Sequence, residues 1–506
     1  MPPTASAAQP QPSSTQFFLR DYDSTLFQLA TNRLLVEKHS RGIVDFIQSE
    51  DLIGTGSFLQ QHRVFASKRG WFLRPTVKLD PVAEFYLYDF VYRNRSLFRK
   101  PPIPNRRSFG FFIANGEATP ILKSYSSFKK AVASERAKYK HYIYLDISSY
   151  FNHIYHHDLV EWVEKAGGGI DDVNALGKYL REIKGGDSFD CLPQGLYPAK
   201  MIGSAFLSFL EESSRIHAAR TLRLMDDVWL FDDNPDLLIS DFLTIQSLLS
   251  QRGLNINEAK SKVLVGHDLE SEVPADMDEM KIRLLQRRRE ELQHGGAYYD
   301  ESDEEEDEEE ELDSLTEEEV EYLISLLSSG DIQEEDAELV LTVMRDAKSD
   351  INDYLPTLIK DFPGLAKRLY YFCISYQDKP AVADAILRHV KSGSKLTEFQ
   401  LFWFAKISED LLLKNAKAGD LLCSLYDHEA ATIISKAKIL EIPEMRFGMP
   451  DLREEQLRSG QSGWLAWASA VGTRKNPKAQ RNHLLKYFRK SSPMNRLIGE
   501  FVEQAY

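Results

Sequence analysis

"RLMDDVWLF", Arg223 to Phe231, sets two adjacent aspartates inside an otherwise apolar run. An isolated buried carboxylate costs several kcal/mol or loses its charge, so it needs a partner cation or hydrogen bonds. Either Asp226 and Asp227 sit at a turn facing water, or something positive is bound there. The apolar, β-branched and aromatic neighbours make the stretch read as a strand. "HYIYLDISSYF", His141 to Phe151, has the same character and carries Asp146. Between the two lie "HHDLVEWVEKAGG", a helix with Asp158 as candidate N-cap and closing glycines, and the longer helical "PAKMIGSAFLSFLEESSRIHAA". "PDLLISDFLTIQSLLSQRGLNI" is a further helix closed by Gly253. Strand, helix, helix, strand, helix, strand suits an α/β sheet with helices on one face.

Asp146, Asp226 and Asp227 each fall in or beside a strand, and the intervening helices can bring those strands into one sheet. Carboxylates converging on one edge repel one another and need divalent cations. Mg²⁺ is bound in this way, by one or two carboxylates with substrate phosphates and water. Two such ions about 4 Å apart would clamp the attacking and leaving oxygens of a phosphoryl transfer. "FDDNPD", with Asp232 and Asp233, reads as a solvated turn.

The rest of the chain bounds the partners. Its 506 residues suffice for two to four domains, and 43% hydrophobic residues describe a globular protein. Cys191, Cys373 and Cys423 lie far apart without metal-ligand spacing, which argues for a reducing compartment and against structural zinc. The first sixteen residues read as a disordered tail rather than a signal peptide, and no apolar run is long enough to span a membrane. The net charge of −15 misleads: sixteen acids and no Lys or Arg lie between Asp300 and Glu321, leaving 61 acids against 62 basic residues elsewhere. "ASKRGWFLRPTVK", "YRNRSLFRKPPIPNRRSFG" and "GTRKNPKAQRNHLLKYFRK" are basic patches interleaved with aromatics, which suits phosphate contacts and base stacking. The acidic block repels itself and divides an α/β region from a helical one. Beyond it, segments such as "VEYLISLLSSG", "RLYYFCISY" and "AVADAILRHV" have helical apolar spacing and resemble stacked pairs of the HEAT type.

Several motifs then agree in order. "LDISSYFNHIYHHDL", "CLPQGLYPAKMIGSAFLSF", "LMDDVWLF" and "GLNINEAKSKVLV" resemble motifs A to D of a reverse-transcriptase palm. Upstream, "FLRPTVKLDPVAEF" and "RRSFGFF" resemble the finger motifs. Two positions depart from the pattern: Leu224 stands where motif C usually carries Tyr or Phe, and Ala199 at a position often Ser in intron-encoded relatives. A palm followed by an all-helical region looks like the bacterial abortive-infection and defence-associated reverse transcriptases, and "SGWLAWASAVGTRKNPKAQRNHLLKYF" is similar to a C-terminal segment of that group.

The resemblance implies an α/β plus all-α chain. Its parts are a tail (1–16), a fingers-like region (17–135), a palm (136–270), a basic helix with acidic linker (271–314) and a HEAT-like helical domain (315–506). It implies Asp146, Asp226 and Asp227 as catalytic carboxylates and, with Ile147, as ligands of two Mg²⁺ or Mn²⁺ ions. Arg74, Lys78 and Lys260 would contact the incoming triphosphate. Phe151, five residues after Asp146, would be the steric gate against a ribose 2′-OH, and Gln194 with Gly195 would let backbone approach the substrate. The implied activity is RNA-directed or template-independent addition of dNTPs in antiphage defence. It belongs in a bacterial cytoplasm, with an RNA template or companion RNA, a DNA product and a homo-oligomeric state. Some members of the group extend a protein tyrosine, for which Tyr487 and Tyr506 are candidates. Two rival readings are a catalytically inactive nucleic-acid-binding scaffold and an RNA-dependent RNA polymerase, the latter disfavoured by Phe151.

Overall fold

The computed structural model of the chain describes residues 13–99, 103–184, 191–266, 280, 284, 315–328, 332–344 and 351–506. The acidic block before residue 315, nearly all of the basic helix and the first twelve residues of the tail lie outside the described residues. A helix over Ser14–Tyr22, N-capped by the Ser13 side chain in a capping box with Gln16, begins within the span that composition marks as tail. The strands are β1 (His62–Ser67), β2 (Leu73–Lys78), β3 (Arg106–Phe109), β4 (Ile113–Ala114), β5 (Glu117–Ala118), β6 (His141–Asp146), β7 (Arg220–Leu224), β8 (Asp227–Asp232) and β9 (Lys262–Gly266). The chain forms two compact units, one of residues 1–25, 51–61 and 82–270, the other of residues 26–50, 62–81 and 271–506.

The first unit is built on a five-stranded sheet of order β3-β7-β8-β6-β9. β3 and β7 run parallel and the remaining pairs antiparallel. "RLMDDVWLF" is therefore not one strand. It breaks at Met225 and Asp226 into β7 and β8, a hairpin in which Leu224 faces Asp227. Period-two alternation sorts the side chains of β6: Ile143 and Leu145 are buried on one face, while Tyr142, Tyr144 and Asp146 share the other. On the second face Tyr144 and Tyr142 pack on Trp229, with ring centroids 4.9 and 5.2 Å away. Such cross-strand aromatic contacts pin the register, because a one-residue slip would turn every ring to the opposite face. The helix after motif A spans His156–Lys165 with Tyr155 as its N-cap, so Asp158 lies in the first turn rather than at the cap. There its charge complements the helix dipole. A further helix, Ile170–Ile183, precedes motif B and was not separately expected.

Among the described residues the second unit is helical apart from the β1–β2 hairpin. Successive helices pack on the next but one. Glu334–Val343 meets Ala366–Ser375, which meets Glu398–Ile407, which meets Ile433–Leu440, which meets Trp464–Gly472. Leu355–Asp361, Lys379–Lys391 and Ala418–Tyr426 form the alternate row. The hairpin is joined to this array by hydrogen bonds from Phe65 N to Glu398 (3.0 Å) and from Ser67 to Thr397 (2.8 Å). The carboxylate of Glu441 caps the helix Ala30–Ser49, accepting from Ala30 N and Thr31 N, each at 2.8 Å. Lys438 is fully buried between Glu409 (2.5 Å) and Glu441 (2.8 Å).

Candidate active site

The β6–β8 register places Asp146 directly opposite Asp227. The two-residue turn adds Asp226 one step further along the same edge, so residues eighty apart in sequence converge. Met225, buried, adopts φ +56° in this turn, a conformation that costs energy in a long-chain residue and needs outside support. Leu224, at the aromatic position of motif C, is buried beside Gly110: a Cβ on that glycine, at φ +72°, would stand 3.1 Å from the leucine side chain.

The three carboxylates crowd one another. Burial, then the charges of Asp227 and Asp146, push the Asp226 carboxyl up to about 6. Asp227 is raised by burial and by Asp146, and the hydrogen bond from Tyr144 partly offsets this. That bond runs from the Tyr144 hydroxyl to Asp227 Oδ1 at 2.6 Å. Burial, with the carboxylate it faces, holds the Tyr144 phenol well above its ordinary range.

Asp146 is braced by motif D. Asn257 Nδ2 donates to its Oδ2 at 2.9 Å, its backbone N–H donates to Ser261 Oγ at 3.1 Å, and Lys260 Nζ lies 3.6 Å from Oδ1. Ile147 pairs with Ile256 across an isolated bridge and its side chain is buried, so only its main-chain oxygen is available as a ligand. Among the described residues no three His, Cys, Asp or Glu side chains stand close enough to hold an ion as placed. The donor set nonetheless fits one. It is all oxygen, suited to Mg²⁺ or Mn²⁺, and its mutual repulsion is what a divalent cation relieves.

The motif B turn is built for close approach. Gly195 has φ +92°, open to glycine and costly to other residues. Leu192 N donates to Phe151 O at 2.9 Å and Gln194 Nε2 to Asn152 Oδ1 at 3.1 Å, which stitches motif B to motif A. Phe151 is half-buried and packs edge-on against Tyr150. A Cβ on Gly203, in the helix Tyr197–Phe206, would stand 3.3 Å from the Tyr150 ring and 3.6 Å from both Phe151 and Met225. His156 does not join a metal set: its Nε2 is 2.9 Å from Cys191 O, at the entry to the motif B turn.

Residues 108–324 match the family model for reverse transcriptase (RNA-dependent DNA polymerase). This segment is a reverse transcriptase domain. The chain is accordingly an enzyme of the reverse transcriptase, DNA nucleotidyltransferase class. No curated protein matches the chain. The reverse transcriptase match contains Asp146, Phe151, Gln194, Gly195, Asp226, Asp227 and Lys260, and it begins after Arg74 and Lys78. Those two lie on β2, paired with Ala66 and His62 in the hairpin of the second unit, where Lys78 is buried. The span read from sequence as one fingers region, 17–135, is thus divided between the two units.

The sequence reading of the candidate site does not include Tyr144, Asn257 or Ser261. The alternation of β6 carried a signal for Tyr144, which shares a face with Asp146. Asn257 and Ser261 carried none, since their role arises from a contact spanning more than a hundred residues.

Proposed function

We propose that the reverse transcriptase domain adds dNTPs to a primer hydroxyl by two-metal phosphoryl transfer, acting in bacterial antiphage defence. The observation that carries this is the register of Asp146 against Asp227 with Asp226 on the adjoining turn. Two Mg²⁺ or Mn²⁺ ions held by these carboxylates and the Ile147 carbonyl would supply charge neutralisation at the attacking and leaving oxygens. Lys260 is already 3.6 Å from Asp146 and half-exposed or more, so it can turn from the carboxylate to a triphosphate. Phe151, held by Tyr150 and the bare Gly203, would occlude the sugar 2′ position, while the Gln194–Gly195 backbone lines the substrate.

The packing of each helix on the next but one supports a HEAT-like stack in the second unit. Its basic C-terminal segment, from Arg474 to Lys490, supports contacts with an RNA template, a companion RNA or the DNA product. The defence role and the homo-oligomer rest on the resemblance of the whole architecture to that bacterial group.

The test incubates purified protein with Mg²⁺ and labelled dNTPs or NTPs, with and without template. Incorporation of dNTPs, reduced about a thousandfold or more when Asp226→Ala and Asp227→Ala are combined, is the expected result. Equal incorporation by that variant would leave the inactive scaffold as the better reading, and preference for NTPs would favour an RNA polymerase. Label that stays on the denatured protein would point to tyrosine priming.

A further inference from the structure

Beneath the carboxylates lies a charged pair that the chemistry above does not use. Arg223 and Glu211 are each about 2% exposed or less, joined by Arg223 Nε to Glu211 Oε1 at 2.5 Å and Nη2 to Oε2 at 3.1 Å. The guanidinium also donates from Nη1 to Met225 O at 3.1 Å and from Nη2 to Ser204 O at 3.0 Å. Ser204 lies in the helix led by the motif B turn, and the adjacent carbonyl, Gly203 O, accepts from the Tyr150 hydroxyl at 2.7 Å. One stretch of helix backbone is therefore bonded to the turn after Asp146 through Tyr150 and to the Asp226–Asp227 turn through Arg223.

We propose that Arg223, oriented by Glu211, is a positioning residue that fixes the Met225–Asp226 peptide and so aims the two hairpin carboxylates at the ions shared with Asp146. The proposal rests on the polymerase reading of this site. Three features argue for it. Met225 sits at a positive φ, so the turn needs an external hold, and the hold falls on the carbonyl of the very peptide that carries the Asp226 N–H. A guanidinium is a rigid fork, so bonds from one arginine to a carboxylate and two carbonyls transmit direction as well as attraction. A buried ion pair adds little net stability over apolar residues of similar volume, so stability alone does not account for one here.

The experiment compares wild type with the double variant Arg223→Met/Glu211→Leu and with Glu211→Gln alone. It reads thermal melting, Mn²⁺ affinity by water-proton relaxation, and kcat and KM for dNTP incorporation. The double variant is expected to melt within a few degrees of wild type and to bind Mn²⁺ about tenfold more weakly. Its kcat should fall on the order of a hundredfold with little change in KM. A folded double variant with wild-type Mn²⁺ affinity and kcat would overturn the proposal. If the double variant does not fold, Glu211→Gln, which keeps volume and hydrogen bonding but loses the charge, carries the same readouts with a several-fold loss expected and no loss overturning it. Wild type that binds Mn²⁺ without incorporating nucleotide would sink the polymerase reading, yet weaker Mn²⁺ binding by the variants would still uphold the positioning role.

Discussion

Two buried clusters, one in each unit of this chain, treat charge in opposite ways. In the helical unit, burial alone would drive the Lys438 ammonium toward neutrality, but Glu409 and Glu441 more than reverse that and keep it charged. Glu444 is likewise held down to about 2, chiefly by the hydrogen bond from Arg446. In the sheet unit, Asp226 is pushed up to about 6 because burial is joined by like charge. Paired charge is satisfied within the fold, whereas like charge gathered at a strand edge is tolerated where a ligand will neutralise it. The helical cluster satisfies itself, and the carboxylates of the sheet unit keep their mutual repulsion.

The largest effect should come from breaking the satisfied network. Lys438→Met removes the close cation from two buried glutamates, leaving Glu441 only the Ala30 and Thr31 donors and Glu409 only Lys406 and Arg474 at 4.0 and 3.9 Å, and should destabilise the helical unit by about 3–5 kcal/mol. Chemical denaturation would show it, and a loss under about 1 kcal/mol would mean that water reaches the pair. The same measurement on Asp226→Asn should show no loss, because repulsion is removed rather than attraction.

A smaller effect tests the unsatisfied site through pH. Below about 6 Asp226 holds its proton, so a cation must displace it. As the folded value lies above the unfolded one, ionisation of Asp226 costs stability as pH rises from about 4 to 6 in the absence of metal. Stabilisation by Mg²⁺ should therefore be weak at pH 5 and full at pH 8, with apparent affinity lower by about tenfold at the acidic end. Melting curves over a Mg²⁺ series at both pH values read this directly. An affinity that does not change with pH would place the ion away from Asp226.

The smallest effect is expected at Tyr144. Its hydroxyl now occupies Asp227 Oδ1, in competition with any ion. Tyr144→Phe should lower the Mg²⁺ concentration needed for half-maximal stabilisation by about threefold, in keeping with the net worth of one hydrogen bond. A rise would instead show that Tyr144 orients Asp227 for the ion, in the way that outer partners orient metal ligands.

Several elements of the candidate site are legible in the sequence. The apolar, aromatic run "HYIYLD" announces β6, whereas the single long helix expected over "PAKMIGSAFLSFLEESSRIHAA" is shorter in the structure, ending at Phe206, resuming over Ser208–Glu212 and giving way to loop before β7. The motif order located Asp146, Asp226 and Asp227 within a segment that the reverse transcriptase family model also matches. "RLMDDVWLF" reads from sequence as continuous strand and is a hairpin in the structure, because apolar neighbours on both sides mask a two-residue turn that has no glycine or proline.

The sequence by itself determined what each segment prefers and which residues can do chemistry, since strand alternation, helix spacing and motif order are written in near neighbours. Only the tertiary structure decided which segments meet. It set Asp146 against Asp227, put Tyr144, Asn257 and Lys260 on the carboxylates, and placed Arg223 and Glu211 beneath their turn. It also assigned the β1–β2 hairpin, with Arg74 and Lys78, to the helical unit. Each of these depends on partners tens to hundreds of residues apart. A chain chooses such partners by the fit of whole buried faces, and no local pattern of residues records that fit.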